Sequence, residues 1–189
     1  MCRAALPRSL PIRTPPAPGY RFFTRAEARF VEAACDCLIP ADRAGAGALE
    51  AGAPGYLDAQ FSGDWGCGRS TYRSGPWQPG TPASMRAARG GAPARTPAEA
   101  FRAGLSGVLR HLDRSRIDFA AEPPPSQRRY LHRLQRGAVT LEGASSAEFF
   151  DTLLAMTVEG FFSHPRLGAT RDRVQWRLRG FPGACAHRV

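Results

Sequence analysis

The chain has 189 residues, enough for one domain with a sizeable core. No apolar run approaches the ~18 residues that a membrane-spanning helix requires. A net charge of +10 invites a nucleic-acid reading, but all 26 basic residues are arginine and spread along the chain. With abundant Ala, Gly and Pro, that pattern reads as GC-rich coding rather than a phosphate-tracking face.

Residues 1–21 are rich in Pro and Arg, lack an apolar stretch, and read as an irregular arm. Thr24 and Glu27 then have the spacing of a capping box, the threonine capping the helix start and the glutamate reaching back to the cap. Phe30, Val31, Ala34, Cys35 and Leu38 follow at helical spacing, and Pro40 closes the helix. A small-residue linker, 45–52, leads to a short helix at Pro54 that carries Tyr56, Leu57 and Phe61 on one face.

From Ser62 to Arg95 neither a period of 2 nor one of 3.6 survives, and Gly, Pro, Arg and aromatics alternate. A loop of this length is uncommon unless it is functional or disordered. Disordered segments are poor in aromatics, yet this one holds Trp65, Tyr72 and Trp77. It therefore reads as an extended loop that orders on a surface, either a partner's or its own domain's. Trp, Tyr and Arg are enriched at interface hot spots, which makes Trp65, Arg69, Tyr72, Pro76 and Trp77 the candidate partner-binding residues.

Thr96, Pro97 and Glu99 form a second capping box with proline at the first helical position. Phe101, Leu105, Val108, Leu109 and Leu112 make the apolar stripe behind it. After Pro123-Pro124-Pro125 a helix is expected from about Ser126 to Arg136, with Tyr130, Leu131 and Leu134 inward and Gly137 as its stop. The longest apolar face belongs to the helix between Ser145 and Pro165, started by Ser145 and Glu148. Phe149, Phe150, Leu153, Leu154, Thr157, Val158, Phe161 and Phe162 fall on one broad side. Its four phenylalanines bury about 150–250 Å² each when packed, so the other helices are expected to gather on it. A last short helix is expected over 170–178, anchored by Trp176. The class is all-α: a small irregular bundle of five or six helices with one long Gly/Pro/aromatic loop.

Chemistry-bearing patterns are sparse. His111, His132, His164 and His187 have no second His or Cys at metal spacing, so no metal ligands are named. No nucleophile elbow, dinucleotide fingerprint, phosphate loop or haem attachment motif occurs. Asp36 and Asp42 flank Pro40 and read as helix-end or arginine contacts. Glu159 reads as a stripe-edge residue paired with an arginine. The cysteines, Cys2, Cys35, Cys37, Cys67 and Cys185, are odd in number, so at least one thiol has no partner within the chain. Cys67, in the Gly-rich loop, is the candidate exposed thiol. No catalytic or cofactor-binding residue is named.

Four stretches, taken in order, resemble a known family. The first is Leu38-Ile39-Pro40-Ala41-Asp42 with Gly47-Ala48 and Glu50-Ala51-Gly52. The second is Gly66 to Pro76, with Arg69, Tyr72, Gly75 and Pro76. The third is Phe149-Phe150, Leu153-Leu154, Thr157, Glu159-Gly160-Phe161-Phe162 and Pro165. The fourth is Arg171-Asp172, Trp176 and Gly180-Phe181-Pro182-Gly183. Together they resemble the small subunit (subunit 3, or gamma) of membrane-bound gluconate 2-dehydrogenase and related flavin-dependent sugar dehydrogenases.

The resemblance implies a non-catalytic subunit of an oxidoreductase complex, spanning 22–183 as one helical domain with a tail at 184–189. It implies a flavoprotein large subunit as partner, carrying FAD, and a multihaem cytochrome c subunit carrying haem c, with no cofactor in this chain. It implies contact with the membrane only through the complex, no nucleic acid, and a role in maturation and twin-arginine export to the periplasm. The sequence departs from the family at Leu167-Gly168-Ala169-Thr170, where Tyr-Gly-Gly-Asn is usual. It also lacks the twin-arginine leader, which leaves a cytoplasmic location open. The competing reading is a basic helical nucleic-acid-binding protein.

Overall fold

The structure is a computed structural model and describes residues 17–43, 45–69 and 95–162. Six α-helices and one 3-10 turn make up the described residues, with no strand, only isolated bridges at Asp42–Gly45 and Leu141–Ala144. The helices are α1 (Arg25–Leu38), α2 (Ala48–Ala51), α3 (Ala53–Ser62), α4 (Pro97–Arg114), α5 (Pro124–Gln135) and α6 (Ser146–Phe162). A 3-10 turn at Phe119–Ala121 joins α4 to α5. The all-α expectation is met, and the expected final helix over 170–178 lies outside the described residues.

The helix starts follow their local chemistry. The Thr24 N–H donates to Glu27 Oε2 at 2.8 Å while the Glu27 N–H donates to Thr24 Oγ1 at 3.4 Å. The same reciprocal pair joins Thr96 and Glu99 at 2.7 and 3.1 Å. Each box satisfies two helix-start donors that otherwise face no acceptor. At α6 the Glu148 N–H donates to Ser145 Oγ at 3.3 Å. Two boundaries differ from expectation. α5 begins at Pro124, because Pro124 and Pro125 occupy first-turn positions where a missing N–H costs nothing. The linker before Pro54 contains the one-turn α2, which hinges into α3 through Gly52 in the left-handed region (φ +87°).

Every helix turns side chains into one core cluster. Phenylalanine rings run through it as a chain of contacts. Phe22 meets Phe61 at 5.4 Å between centroids, Phe61 stacks on Phe101 at 4.2 Å, and Phe101 meets Phe149 at 5.1 Å. Phe149 reaches Phe30 at 6.4 Å, Phe30 reaches Phe119 at 4.8 Å, and Phe119 reaches Tyr130 at 5.7 Å. The chain thus touches α3, α4, α6, α1, the 3-10 turn and α5 in turn. Such ring pairs contribute roughly 0.5–1.5 kcal/mol each beyond the area they bury.

The α6 face is rotated from the expected one. Ser146, Phe149, Phe150, Leu153, Met156, Thr157, Gly160 and Phe161 are buried, whereas Leu154 is half-buried and Val158 and Phe162 are exposed. Burial of Met156 and Gly160 in place of Val158 and Phe162 follows from the neighbours. Tyr56 of α3 packs on Gly160, where an added Cβ would meet its ring at 3.0 Å, and the Cys35 thiol of α1 meets Thr157.

Two helix ends close in the same way with different residues. After α5, the Gly137 N–H bonds the Leu134 carbonyl and the Ala138 N–H bonds the Arg133 carbonyl, with Gly137 at φ +70°. After α4, the Arg116 N–H bonds the Asp113 carbonyl and the Ile117 N–H bonds the Leu112 carbonyl, but the left-handed position (φ +55°) is held by Arg116. This hydrogen-bond pair is the Schellman motif, whose left-handed residue is usually glycine, because a Cβ there crowds the carbonyl. We expect Arg116→Gly to raise the unfolding free energy by about 1 kcal/mol in urea titration. An unchanged or lowered value would show that the arginine side chain itself supports the fold.

Candidate functional site

The two buried carboxylates are tied into the scaffold. The Asp58 carboxylate of α3 is buried and accepts three successive backbone N–H groups, from Arg21 at 2.8 Å, Phe22 at 2.8 Å and Phe23 at 3.0 Å. Charge-assisted bonds of this kind fix the segment before α1 onto α3. Glu27, also buried, serves the α1 capping box and pairs with Arg102 of α4 at 3.0 Å. Arg102 further donates to the Phe22 carbonyl at 2.6 Å and lies 3.9 Å over the Phe22 ring. One guanidinium therefore binds a carboxylate, a carbonyl and a ring face. Neither Asp58 nor Arg102 stands out in the sequence, since their partners lie 35 to 37 and 75 to 80 positions away.

Most of the remaining described acid/base candidates are engaged too. The Tyr56 hydroxyl donates to Glu159 Oε1 at 2.6 Å, so the carboxylate expected to meet an arginine meets a tyrosine. Burial, then the Glu159 hydrogen bond, pushes the Tyr56 phenol well above its ordinary pKa. Asp42 Oδ1 accepts the Gly45 N–H at 3.2 Å, as a turn-closing side chain does. Asp36 is exposed on α1. His111 is half-buried and stacks on Tyr130 at 5.9 Å, and His132 is exposed and bonded to Gln135. His164 and His187 lie outside the described residues. No group of three or more His, Cys, Asp or Glu able to hold a metal occurs among the described residues.

Of the candidate partner-binding residues, Trp65 and Arg69 are described. The chain leaving α3 folds into a turn over 64–69, fixed by bonds from the Gly66 N–H to the Gln60 carbonyl and from the Ala98 N–H to the Gly66 carbonyl. Trp65 packs its ring on Phe61 at 5.5 Å and is 37% exposed. Arg69 lies exposed and pairs with Asp64 at 3.2 Å. Tyr72, Pro76 and Trp77 lie outside the described residues, so two of the five are placed, both in the turn that follows α3 and on different partners.

Two adjoining hollows lie where the chain turns from α4 into α5. The larger, about 560 Å³, is bounded by Arg29 and Phe30 of α1, Leu109 and Leu112 of α4, and Ile117 and Phe119. The smaller, about 180 Å³, shares Ile117 and Phe119 and adds Ser126, Arg129, Tyr130 and Arg133 of α5. The Tyr130 hydroxyl is enclosed without a hydrogen-bond partner among the described residues, and burial holds its pKa well above the ordinary value. The sequence-wide count of arginines passes over the concentration here, with Arg128, Arg129, Arg133 and Arg136 within nine positions.

The thiols divide by environment. Cys35 is buried, donates its S–H to Thr157 Oγ1 at 3.4 Å, and is pushed up to about 12 by burial. The Thr157 hydroxyl proton goes to the Leu153 carbonyl at 2.7 Å, which leaves its oxygen free to accept. Cys37 is half-buried and also raised by burial, and Cys67 is exposed. A thiolate is the reactive form. We therefore expect iodoacetamide at neutral pH to label Cys67 at least about a hundredfold faster than Cys35, as mapped by peptide mass spectrometry. Equal rates would show that Cys35 is reachable and reactive.

One family model, described as gluconate 2-dehydrogenase subunit 3, matches residues 25–183, most of the chain. No curated protein and no solved structure matches.

Proposed function

This chain belongs to the gluconate 2-dehydrogenase subunit 3 family, and from that premise we propose that it is the small, non-catalytic subunit of a membrane-associated, FAD-dependent gluconate or sugar dehydrogenase complex. The match over 25–183 carries the reading. The interior chemistry supports it: Asp58, Glu27, Tyr56 and Cys35 are each committed to holding helices together rather than facing a substrate.

In this reading FAD sits in the flavoprotein subunit, which oxidises the sugar or sugar acid, and haem c in a multihaem cytochrome subunit relays the electrons. This chain binds the flavoprotein and assists its maturation and twin-arginine export. It works in the periplasm, and its contact with the membrane runs through the complex. No described helix is long and apolar enough to cross a membrane. Trp65, Arg69, Tyr72, Pro76 and Trp77 grip the flavoprotein from the loop, Trp65 already anchored on Phe61 and half free to bind.

A tagged chain purified from its native host is expected to bring down a subunit with flavin fluorescence. Trp77→Ala should weaken that complex by about 2 kcal/mol, roughly 30-fold in Kd, as truncation of a hot-spot tryptophan does. Recovery of no flavin-containing partner would contradict the reading. Near-unchanged affinity of the variant would remove the loop from the contact.

A further inference from the structure

The two hollows between α1, α4 and α5 form one trough, since Ile117 and Phe119 line both. Its floor is apolar. Phe30, Leu112 and Phe119 are buried, and Ile117, 37% exposed, stands at the divide. The Schellman turn after α4 sets this geometry, because it places Ile117 back over Leu112 and leaves Arg116 exposed at the mouth.

The charges around the trough are uneven. Arg29 is neutralised by Asp118 at 2.7 Å. Arg116, Arg129 and Arg133 line the trough, and Arg128 and Arg136 belong to α5 and its cap. All five are exposed, and none pairs with an acid among the described residues. α5 itself carries no acidic residue, so neighbours one turn apart, such as Arg129 and Arg133, repel without internal compensation. Among the described residues, Asp113 and Glu122 are the lining acids left beside the three lining arginines. An arginine strained at φ +55°, where glycine serves the backbone better, adds a cation at this mouth at a cost to the fold.

An apolar trough beside cations that no described acid neutralises is complementary to a protein segment that offers an apolar side chain flanked by carboxylates. The alternatives fit less well. Single-stranded nucleic acid stacks on exposed rings, and the rings here, Phe30 and Phe119, are buried. A lipid surface takes up protruding apolar residues, whereas this surface is concave. We propose that the trough docks an acidic, apolar-anchored segment of the flavoprotein subunit, with carboxylates against Arg116, Arg129 and Arg133. The proposal rests on the partner reading above and adds a second contact to the loop residues.

The test measures binding of the full chain to the flavin-containing subunit recovered with it. We expect Arg129→Glu combined with Arg133→Glu to weaken binding at least about 30-fold in low salt, with a smaller loss in high salt. Ile117→Ser should weaken it about tenfold through the apolar contact. Arg43→Glu, an exposed reversal away from the trough lining, should leave it unchanged, and circular dichroism should show all variants folded, with a modest drop in melting temperature for Ile117→Ser alone. If the wild-type chain binds the subunit and both trough variants bind as tightly, the trough proposal is overturned while the partner reading stands. If the wild-type chain binds no flavin-containing subunit, the partner reading fails. Loss of binding to phosphatidylglycerol vesicles or duplex DNA in the double variant, with subunit affinity unchanged, would also overturn the proposal.

Discussion

The fold depends on the chain of aromatic rings that runs from Phe22 through Phe61, Phe101, Phe149, Phe30 and Phe119 to Tyr130. Each ring comes from a different segment, so α1, α3, α4 and α6 are each held by ring contacts on two sides, and α5 by Tyr130 at the end of the chain of rings. Rings of this size need room at a junction of short helices, and small residues supply it by leaving out a side chain. Gly104 is the clearest case: a Cβ there would lie 2.6 Å from the Phe149 ring. Ring packing is directional but cannot anchor a polar backbone. Asp58 and Arg102 do that, binding the segment before α1 to α3 and α4 through its own amides and carbonyl.

This division of labour bears on function. The buried Asp58, Glu27 and Tyr56 and the Cys35 thiol are bonded between the chain's own elements. What the chain presents outside is a tryptophan at the root of the long loop and a cationic trough between α4 and α5. Both fit the proposed role of a partner-binding subunit, and membership of the gluconate 2-dehydrogenase subunit 3 family gives the proposed partner a class.

The local features were legible in the sequence because their physics is local. Thr24 with Glu27 and Thr96 with Glu99 are three residues apart and form their boxes within one turn. Tyr130, Leu131 and Leu134 lie at helical spacing and are buried as that spacing implies. The α6 face was legible only to within one position. The doublets Phe149-Phe150 and Phe161-Phe162 leave the rotation of the helix undecided, and the choice falls to Tyr56 on Gly160 and Cys35 on Thr157, contacts about a hundred positions apart. Asp58 was illegible for the same reason. Nothing near it in sequence distinguishes a carboxylate that will collect three amides from one that faces water. The trough is a tertiary product as well, since its lining comes from α1, α4, the 3-10 turn and α5.

The central claim is that this chain works by binding and carries out no reaction. Dye-linked oxidation of gluconate and related sugars, measured on the separated subunits, tests it most directly. The account predicts that all turnover resides in the flavin-containing subunit and that this chain alone reduces no dye. Sustained substrate oxidation by the purified chain, free of flavoprotein, would contradict it.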